Sequence, residues 1–214
     1  MNKLFLLFAI VTSALLVSCE GIFKNEEDPA KSYMITLQPG PESGKDAFIE
    51  DYPLHDYRNL TWGDSDEFAA ISWTSGGDWF VVRSFIDFNF DTIPDGVLID
   101  SAKLSLYAYG NEFHGYGHDT LTGSKECYLQ RVTSEWHEHS VTWNEQPQTT
   151  EDNQIILPKS KHPMQDYLGI DITDLVRDIY SSPEESFGFM FRLVKEKDYR
   201  RMFFATSDAE EVYK

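Results

Sequence analysis

The chain has 214 residues, of which 36 are acidic and 18 basic, giving a formal net charge of −18. This charge argues against a nucleic-acid partner, because proteins that bind the phosphate backbone present a basic face. The length suits one domain with processing segments, and 41% hydrophobic residues are typical of a globular chain. Two cysteines are too few for a disulfide framework, so we expect an apolar core to stabilise the fold.

The N-terminus has the pattern of an export signal. Lys3 is followed by an apolar run over residues 4–17, which is long enough for the core of a signal peptide but short for a membrane span. The run ends in Leu16-Val17-Ser18-Cys19, which resembles the bacterial lipobox, whose cysteine is acylated and becomes the first residue of the mature protein. An ordinary secretory signal with a cysteine at its cleavage site is the alternative.

The lipobox resemblance divides the chain into three predicted parts. Residues 1–18 form a lipoprotein signal peptide, residues 19–32 an acidic tether and residues 33–214 a β-sandwich domain. Acyl chains on Cys19 would anchor the protein in a membrane, since each buried methylene contributes about 0.8 kcal/mol. The acidic run at residues 25–28 resembles the surface-export signal of Bacteroidetes lipoproteins, and an ordinary solvated linker explains it nearly as well. We therefore expect an outer-membrane lipoprotein exposed at the cell surface.

Beyond the tether, short alternating segments separated by turns predict β-strands. The alternation is clearest in residues 80–90, 99–109 and 188–194. Shorter candidates are residues 33–37, 47–51, 68–73, 127–132, 155–157 and 202–206. Residues 171–180 have the spacing of a helix, with Asp171 placed to cap its first turn. These patterns predict an all-β fold, an antiparallel sandwich of two sheets with one short helix.

Several motifs are spread over most of the predicted domain. The most specific is the run from Trp136 to Pro147, which has the pattern Trp-x-Glu-x-x-Val-Thr-Trp-Asn-x-x-Pro and includes Glu138, Thr142, Trp143 and Asn144. Further matches lie at Arg83, Asp171, Gly188 and Arg192. Together these residues resemble the DNRLRE-domain, or disaggregatase-related, family over about residues 33–208. Trp136 and Trp143 are interpreted as parts of a packed corner, with Arg83 and Arg192 as partners of buried acids.

The resemblance carries expectations for fold and function. It implies a secreted jelly-roll-like β-sandwich, often attached to polysaccharide-degrading enzymes or surface proteins, and some members are carbohydrate-binding modules with alginate-like ligands. Family members usually continue past the equivalent of Ser207-Asp208 into a further strand, whereas this sequence ends at Lys214. We therefore expect either that the last strand is missing or that the sandwich closes differently.

A sugar-binding surface needs flat aromatic rings for stacking and polar groups that meet hydroxyls. The aromatic candidates lie in turns or on the polar face of a strand, and they are Trp73, Trp79, Tyr107, Tyr109 and Tyr116. A second set forms a basic cluster in a predicted hairpin loop and comprises Lys195, Lys197, Tyr199, Arg200 and Arg201. Rings that are merely packed and a solvated basic turn are the alternatives.

The net charge leaves the class of glycan open. Without Lys3, the mature chain keeps 17 basic side chains against 36 acidic ones, a net charge of −19. Such a chain repels a polyanion at long range, whereas the basic cluster could hold uronate carboxylates locally. A neutral and a uronic-acid-containing polysaccharide are therefore equally compatible with the sequence.

Signals for metals and catalysis are sparse. Asp64, Asp66 and Glu67 place three carboxylates in one turn, where a structural calcium ion is the candidate cofactor and a solvated acidic turn the alternative. His137 and His139 lie two residues apart and are interpreted as part of a rim loop rather than as metal ligands. No hydrolase signature is present, so we predict that the protein is not an enzyme.

The sequence therefore favours a lipid-anchored module that binds a polysaccharide without cleaving it. One alternative is a structural or adhesion lipoprotein of the cell surface that has no glycan ligand. The other is a polysaccharide lyase or hydrolase, which would need converging carboxylates or histidines.

We expect Cys19→Ala to abolish acylation and to release the protein from membranes, because the acyl chains are its predicted anchor. Metabolic labelling with a fatty acid and fractionation of cells measure the two effects. A membrane-bound fraction unchanged by the substitution would contradict the lipobox assignment.

Overall fold

A computed structural model of the protein describes residues 32–111, 115–197 and 199–209. The strands in this part of the chain are β1 (Lys45–Asp51), β2 (Glu67–Ser75), β3 (Asp78–Asp87), β4 (Lys103–Leu106), β5 (Gly110–Asn111), β6 (Gly115–Tyr116), β7 (Cys127–Arg131), β8 (Ile155–Leu157), β9 (Tyr167–Asp171), β10 (Phe189–Leu193) and β11 (Arg200–Ala205). One α-helix, α1, spans Thr173–Ser181 in the described residues, and short 3-10 turns lie at Leu54–Asn59, Phe90–Thr92 and Pro183–Glu185. None of the helices in these residues is long and apolar enough to span a membrane.

Within the described residues, seven strands form one antiparallel sheet in the order β11-β2-β3-β10-β7-β8, with β1 on the other edge of β3. Strands β4 and β9 pair separately, and β5 and β6 form a small hairpin. The edge of β11 joins the two larger sheets, because Ala108 bridges to Phe204 and the Ala205 amide donates to the Tyr107 carbonyl. These curled antiparallel sheets with a single helix confirm the all-β, jelly-roll-like sandwich.

Both faces of the large sheet are buried. On one face Phe68, Phe191 and Phe204 pack against side chains of β4, β9 and α1, forming the main core. Two smaller apolar clusters lie against opposite faces of β1 and β3, one containing Ala47, Ile49 and Phe85 and the other Phe48, Val82 and Phe203. Because successive side chains of a strand point to opposite faces, each central strand supplies both layers.

Two small residues allow β3 to serve three partners. One edge of β3 pairs first with β2 and then with β10, which begins opposite Ser84 to Ile86. The buried Ser84 hydroxyl accepts from the Ala69 amide at 2.7 Å and donates to the Ala69 carbonyl at 2.8 Å. Gly188, just before β10, has φ of 79°, and a Cβ there would lie 2.3 Å from the Ile86 carbonyl oxygen. The position therefore requires glycine.

Some predicted elements differ from the structure. Residues 33–37 have no regular secondary structure, whereas β9 was not predicted. The helix begins at Thr173, and Asp171 accepts from the Thr173 amide at 3.1 Å from a position one residue before the N-cap. The predicted signal peptide, Cys19 and nearly all of the tether fall outside the described residues, as do residues 210–214.

A buried histidine links the β5–β7 region to β11. The Phe203 amide donates to His118 Nδ1 at 3.0 Å, so Nε2 carries the proton and donates to the Gln165 carbonyl at 2.9 Å. Burial lowers the pKa of His118, and the charge of the nearby Lys125 lowers it further. The ring is therefore held neutral at neutral pH.

We expect this histidine to make folding sensitive to acid. Because the pKa of His118 is lower in the folded state than in the unfolded chain, its contribution to stability is complete above about pH 6.5 and is lost as the pH falls below that value. Urea unfolding at pH 7.5 and pH 5.5 should therefore show a smaller advantage of the wild type over His118→Gln at the lower pH. Comparing the two proteins cancels the contributions of other titrating groups. An advantage that does not change with pH would contradict the neutral, buried role.

Candidate functional site

A surface groove of about 770 Å³ lies beside strand β3 and the loop that joins β10 to β11. We call it the Trp79 groove, and its lining consists of Asp51, Trp79, Val81, Arg83, Trp143 and Val194 to Lys197. Trp79, Val81 and Arg83 are alternate residues of β3, so their side chains share one face of the strand. One side of the groove is therefore a continuous strip of β3.

Arg83 organises the groove. Its Nε and Nη2 atoms donate to the two carboxylate oxygens of Glu196 at 2.8 and 2.7 Å, and its Nη1 donates to Gln146 Oε1 at 2.8 Å. The guanidinium carbon also lies 4.5 Å from the centroid of a Trp143 ring. Arg83 thus ties the β10–β11 loop to the segment that carries Trp143, by paired hydrogen bonds and cation–π contact.

Of the aromatic candidates, Trp79 lines the groove, and Tyr199 and Trp73 lie next to it outside the lining. The ring of Tyr199 meets the rings of Trp73 and Trp79 edge-on, with centroids 5.1 and 5.2 Å apart. Tyr199 is 44% exposed, and Lys195 and Lys197 are exposed in the same loop. The structure therefore places two residues of the aromatic set, Trp73 and Trp79, against Tyr199 of the basic set, whose loop also carries Lys195 and Lys197.

Two tyrosines of the same strand segment are placed differently. Tyr107 is 43% exposed but does not line the groove. Tyr109 corrects the expectation of a second exposed ring: it is only 6% exposed, and its hydroxyl donates to Asp66. The strict alternation holds from Lys103 to Ala108 and breaks at Tyr109, where the backbone pairs with β11. The side chain of Tyr116 lies outside the described part of the structure.

The arginines of the basic cluster have structural contacts. Arg200 donates to the carbonyls of Thr122, Ser124 and Tyr199 at 2.6 to 2.9 Å, so its guanidinium holds a neighbouring loop rather than facing a ligand. The half-buried Arg201 lies over the Trp73 and Phe203 rings, at 5.9 and 5.7 Å from their centroids. The predicted cluster therefore divides into exposed lysines and packed arginines.

Arg192 is also corrected. It was expected to pair with a buried acid, but its Nε donates to the amide oxygen of Gln130 at 3.0 Å and its guanidinium stacks over Tyr128. Gln130 lies opposite Met190 in the sheet, so the polar partner comes from the neighbouring strand.

The acidic turn does not gather into a metal site. Asp64 is nearly fully exposed, Asp66 accepts from Tyr109, and Glu67 is buried in β2. Among the described residues, the carboxyls that do converge are those of Asp46, Glu138 and Asp208. The predicted calcium ligands are therefore corrected, because the side chains of the turn diverge.

Sequence reasoning missed part of the groove. Arg83 could have been placed beside Trp79 from their spacing on one strand, since residues four apart share a face. Trp143 and Asp51 come from distant segments, and no local pattern brings them to β3. A second cavity of about 420 Å³ lies near the end of α1, but its polar lining contains no aromatic ring.

Comparison with known families adds an independent finding. The family model of carbohydrate-binding module family 96 matches residues 42–212, a range that contains every residue lining the Trp79 groove. A search of curated proteins found no match.

We expect Arg83→Met to lower the free energy of unfolding by about 1–3 kcal/mol, because it breaks a partly buried bidentate pair and leaves Glu196 without its cation. Lys103→Met is the matched control: its pair with Asp171 is exposed, so we expect a loss below about 1 kcal/mol. Urea unfolding measures both. Equal losses in the two variants would contradict the organising role of Arg83.

Proposed function

The chain belongs to carbohydrate-binding module family 96, and we propose that it binds a polysaccharide in the Trp79 groove without cleaving it. The observation that carries this proposal is the convergence of Trp73, Trp79 and Tyr199 beside two exposed lysines. Aromatic faces carry partial negative charge and are apolar, so they suit the C–H faces of sugar rings. The surrounding polar groups suit hydroxyls and carboxylates.

The charges in the groove favour a glycan that contains uronic acids. Asp51 is paired with Arg58 and Glu196 with Arg83, so each groove carboxylate already has a cationic partner. Lys195 and Lys197 remain exposed on the loop. The net charge of the whole chain opposes this ligand only weakly, because salt screens exposed charges beyond about 8 Å under physiological conditions.

The same pairing supports a role without catalysis. Glycoside hydrolysis needs one carboxylic acid that donates a proton and a second carboxylate that acts as base or nucleophile. Asp51 and Glu196 are both held by guanidinium groups, so neither is placed to act as the proton donor.

We further infer that the module is held at the outer face of the outer membrane by acyl chains on Cys19. The apolar run and the lipobox resemblance support this location. Cys127→Ala is a suitable control in the fractionation of Cys19→Ala, because Cys127 is a buried free thiol. A surface lipoprotein without a glycan ligand is the rival function.

The binding experiment compares a half-buried ring that lines the groove with an exposed ring outside it. We expect Trp79→Ala to weaken polysaccharide binding about tenfold or more, since a large ring at the centre of a site contributes about 2 kcal/mol or more. Tyr107→Ala removes an exposed ring outside the groove and should leave the affinity unchanged. Affinity electrophoresis of the purified protein in gels containing alginate, pectin or neutral glycans measures the change.

The same gels test the class of ligand. The double variant Lys195→Gln/Lys197→Gln should weaken binding to uronic-acid polysaccharides and reduce its dependence on salt, leaving neutral glycans unaffected. Loss of binding in Tyr107→Ala but not in Trp79→Ala would move the site away from the groove. No retention of the folded protein on any glycan would favour the rival function.

A further inference from the structure

Three carboxylates that are far apart in the sequence meet at one end of strand β1. One oxygen each from Asp46, Glu138 and Asp208 lies within 4.8 Å of the others. Asp46 is the second residue of β1, Glu138 lies in the loop after β7, and Asp208 lies in the turn that follows β11. We call these residues the carboxylate triad.

Backbone hydrogen bonds fix part of this arrangement. The Asp46 amide donates to Glu138 Oε1 at 2.8 Å, across 92 residues of sequence. The Ser207 amide donates to Asp46 Oδ2 at 3.1 Å. Gly44 and Gly63 allow the close approach, because a Cβ at either position would collide with Ser207 or with Glu138.

One carboxylate oxygen of the triad is buried and lacks a hydrogen-bond partner among the described residues. Asp46 is 1% exposed, and no hydrogen-bond donor among the described residues reaches its Oδ1 atom. A buried polar atom of this kind is costly unless something binds it, so this oxygen indicates a missing ligand.

The charged groups around the triad indicate the charge of the missing ligand. Asp46, Glu138 and Asp208 each bring a carboxylate oxygen into the same small space. The neighbouring Lys45 is directed to Asp87 and to the Trp136 ring. His139 lies 3.7 Å from Glu138 Oε2, but its side chain is 66% exposed. Three carboxylates in this space therefore favour a cation.

We propose that the carboxylate triad binds one calcium ion. The donors are all oxygens, which suits a hard divalent cation rather than zinc or copper. Calcium accepts six to eight ligands in irregular geometry, so water completes its shell on the partly exposed side of Glu138 and Asp208. Magnesium demands near-octahedral geometry and fits such a set less well.

The ion has a structural role. It crosslinks the start of β1, the loop after β7 and the turn after β11, none of which is joined to another by a disulfide in the described residues. The loop after β7 also carries Trp143, which lines the Trp79 groove. The site is nevertheless separate from the groove, and its test does not depend on glycan binding.

Thermal unfolding of the purified protein, after dialysis against a chelator, tests the proposal. At a free calcium concentration a hundredfold above Kd, we expect the thermal midpoint to rise by about 5 to 10 °C. Isothermal titration calorimetry should give one ion per chain, and magnesium at the same concentration should have a smaller effect. Asp46→Asn should fold without calcium, since it removes a buried charge, and should lose most of the rise.

The controls separate this site from the acidic turn. Asp64→Asn makes the same chemical change at a nearly fully exposed carboxylate and should keep the full rise. If Asp46→Asn does not unfold cooperatively, Asp208→Asn, whose side chain is only half-buried, serves in its place. Wild type that does not respond to calcium would overturn the proposal. A rise that both triad variants retain, or that Asp64→Asn loses, would also overturn it.

Discussion

The fold depends on strand β3 serving three partners at once. β1 occupies one edge of β3, while β2 and β10 share the other. Where β2 leaves, the Ser84 hydroxyl keeps bonding both backbone groups of Ala69 while the Ser84 backbone has already begun to pair with Phe191. A side chain thus replaces one rung of the ladder, which satisfies buried backbone groups that would otherwise be unpaired. This substitution allows one sheet to split and to curl around the main core.

The groove follows from the same strand. β3 is buried on both sides near Ser84 and Phe85, but its first residues, from Asp78 to Phe80, are more open. The exposure of the side chains falls along the strand from Asp78 to Ser84. Trp79 and Arg83, four residues apart, both lie within this stretch. Arg83 therefore sits where the dielectric falls, and its bonds to Glu196 are stronger than those of a fully exposed pair. The same strand, β3, therefore contributes to both the core and the groove.

Sequence patterns predicted what depends on local periodicity. Alternating segments located β1, β2, β3, β4, β7, β8, β10 and β11, and helical spacing located α1. β9 was not predicted from the sequence because Gly169 adopts φ of 65° and the exposed Leu168 breaks the apolar alternation. Residues 33–37 alternate but pair with no strand in the described part of the chain, and Met34 is 89% exposed. Pairing across distance, as between Asp46 and Glu138, leaves no local signal, so neither the carboxylate triad nor the place of Trp143 could be predicted.

The two sides of the groove differ in how freely they can change. One side is β3, whose residues also hold the core, so substitutions there affect folding. The other side is the loop from Val194 to Lys197, which is anchored chiefly through Glu196. Loops of this kind accept insertions and new side chains without disturbing the sheets beneath them. The architecture therefore allows related modules to keep β3 and Glu196 while they acquire a new glycan preference by replacing a few neighbouring residues of the loop.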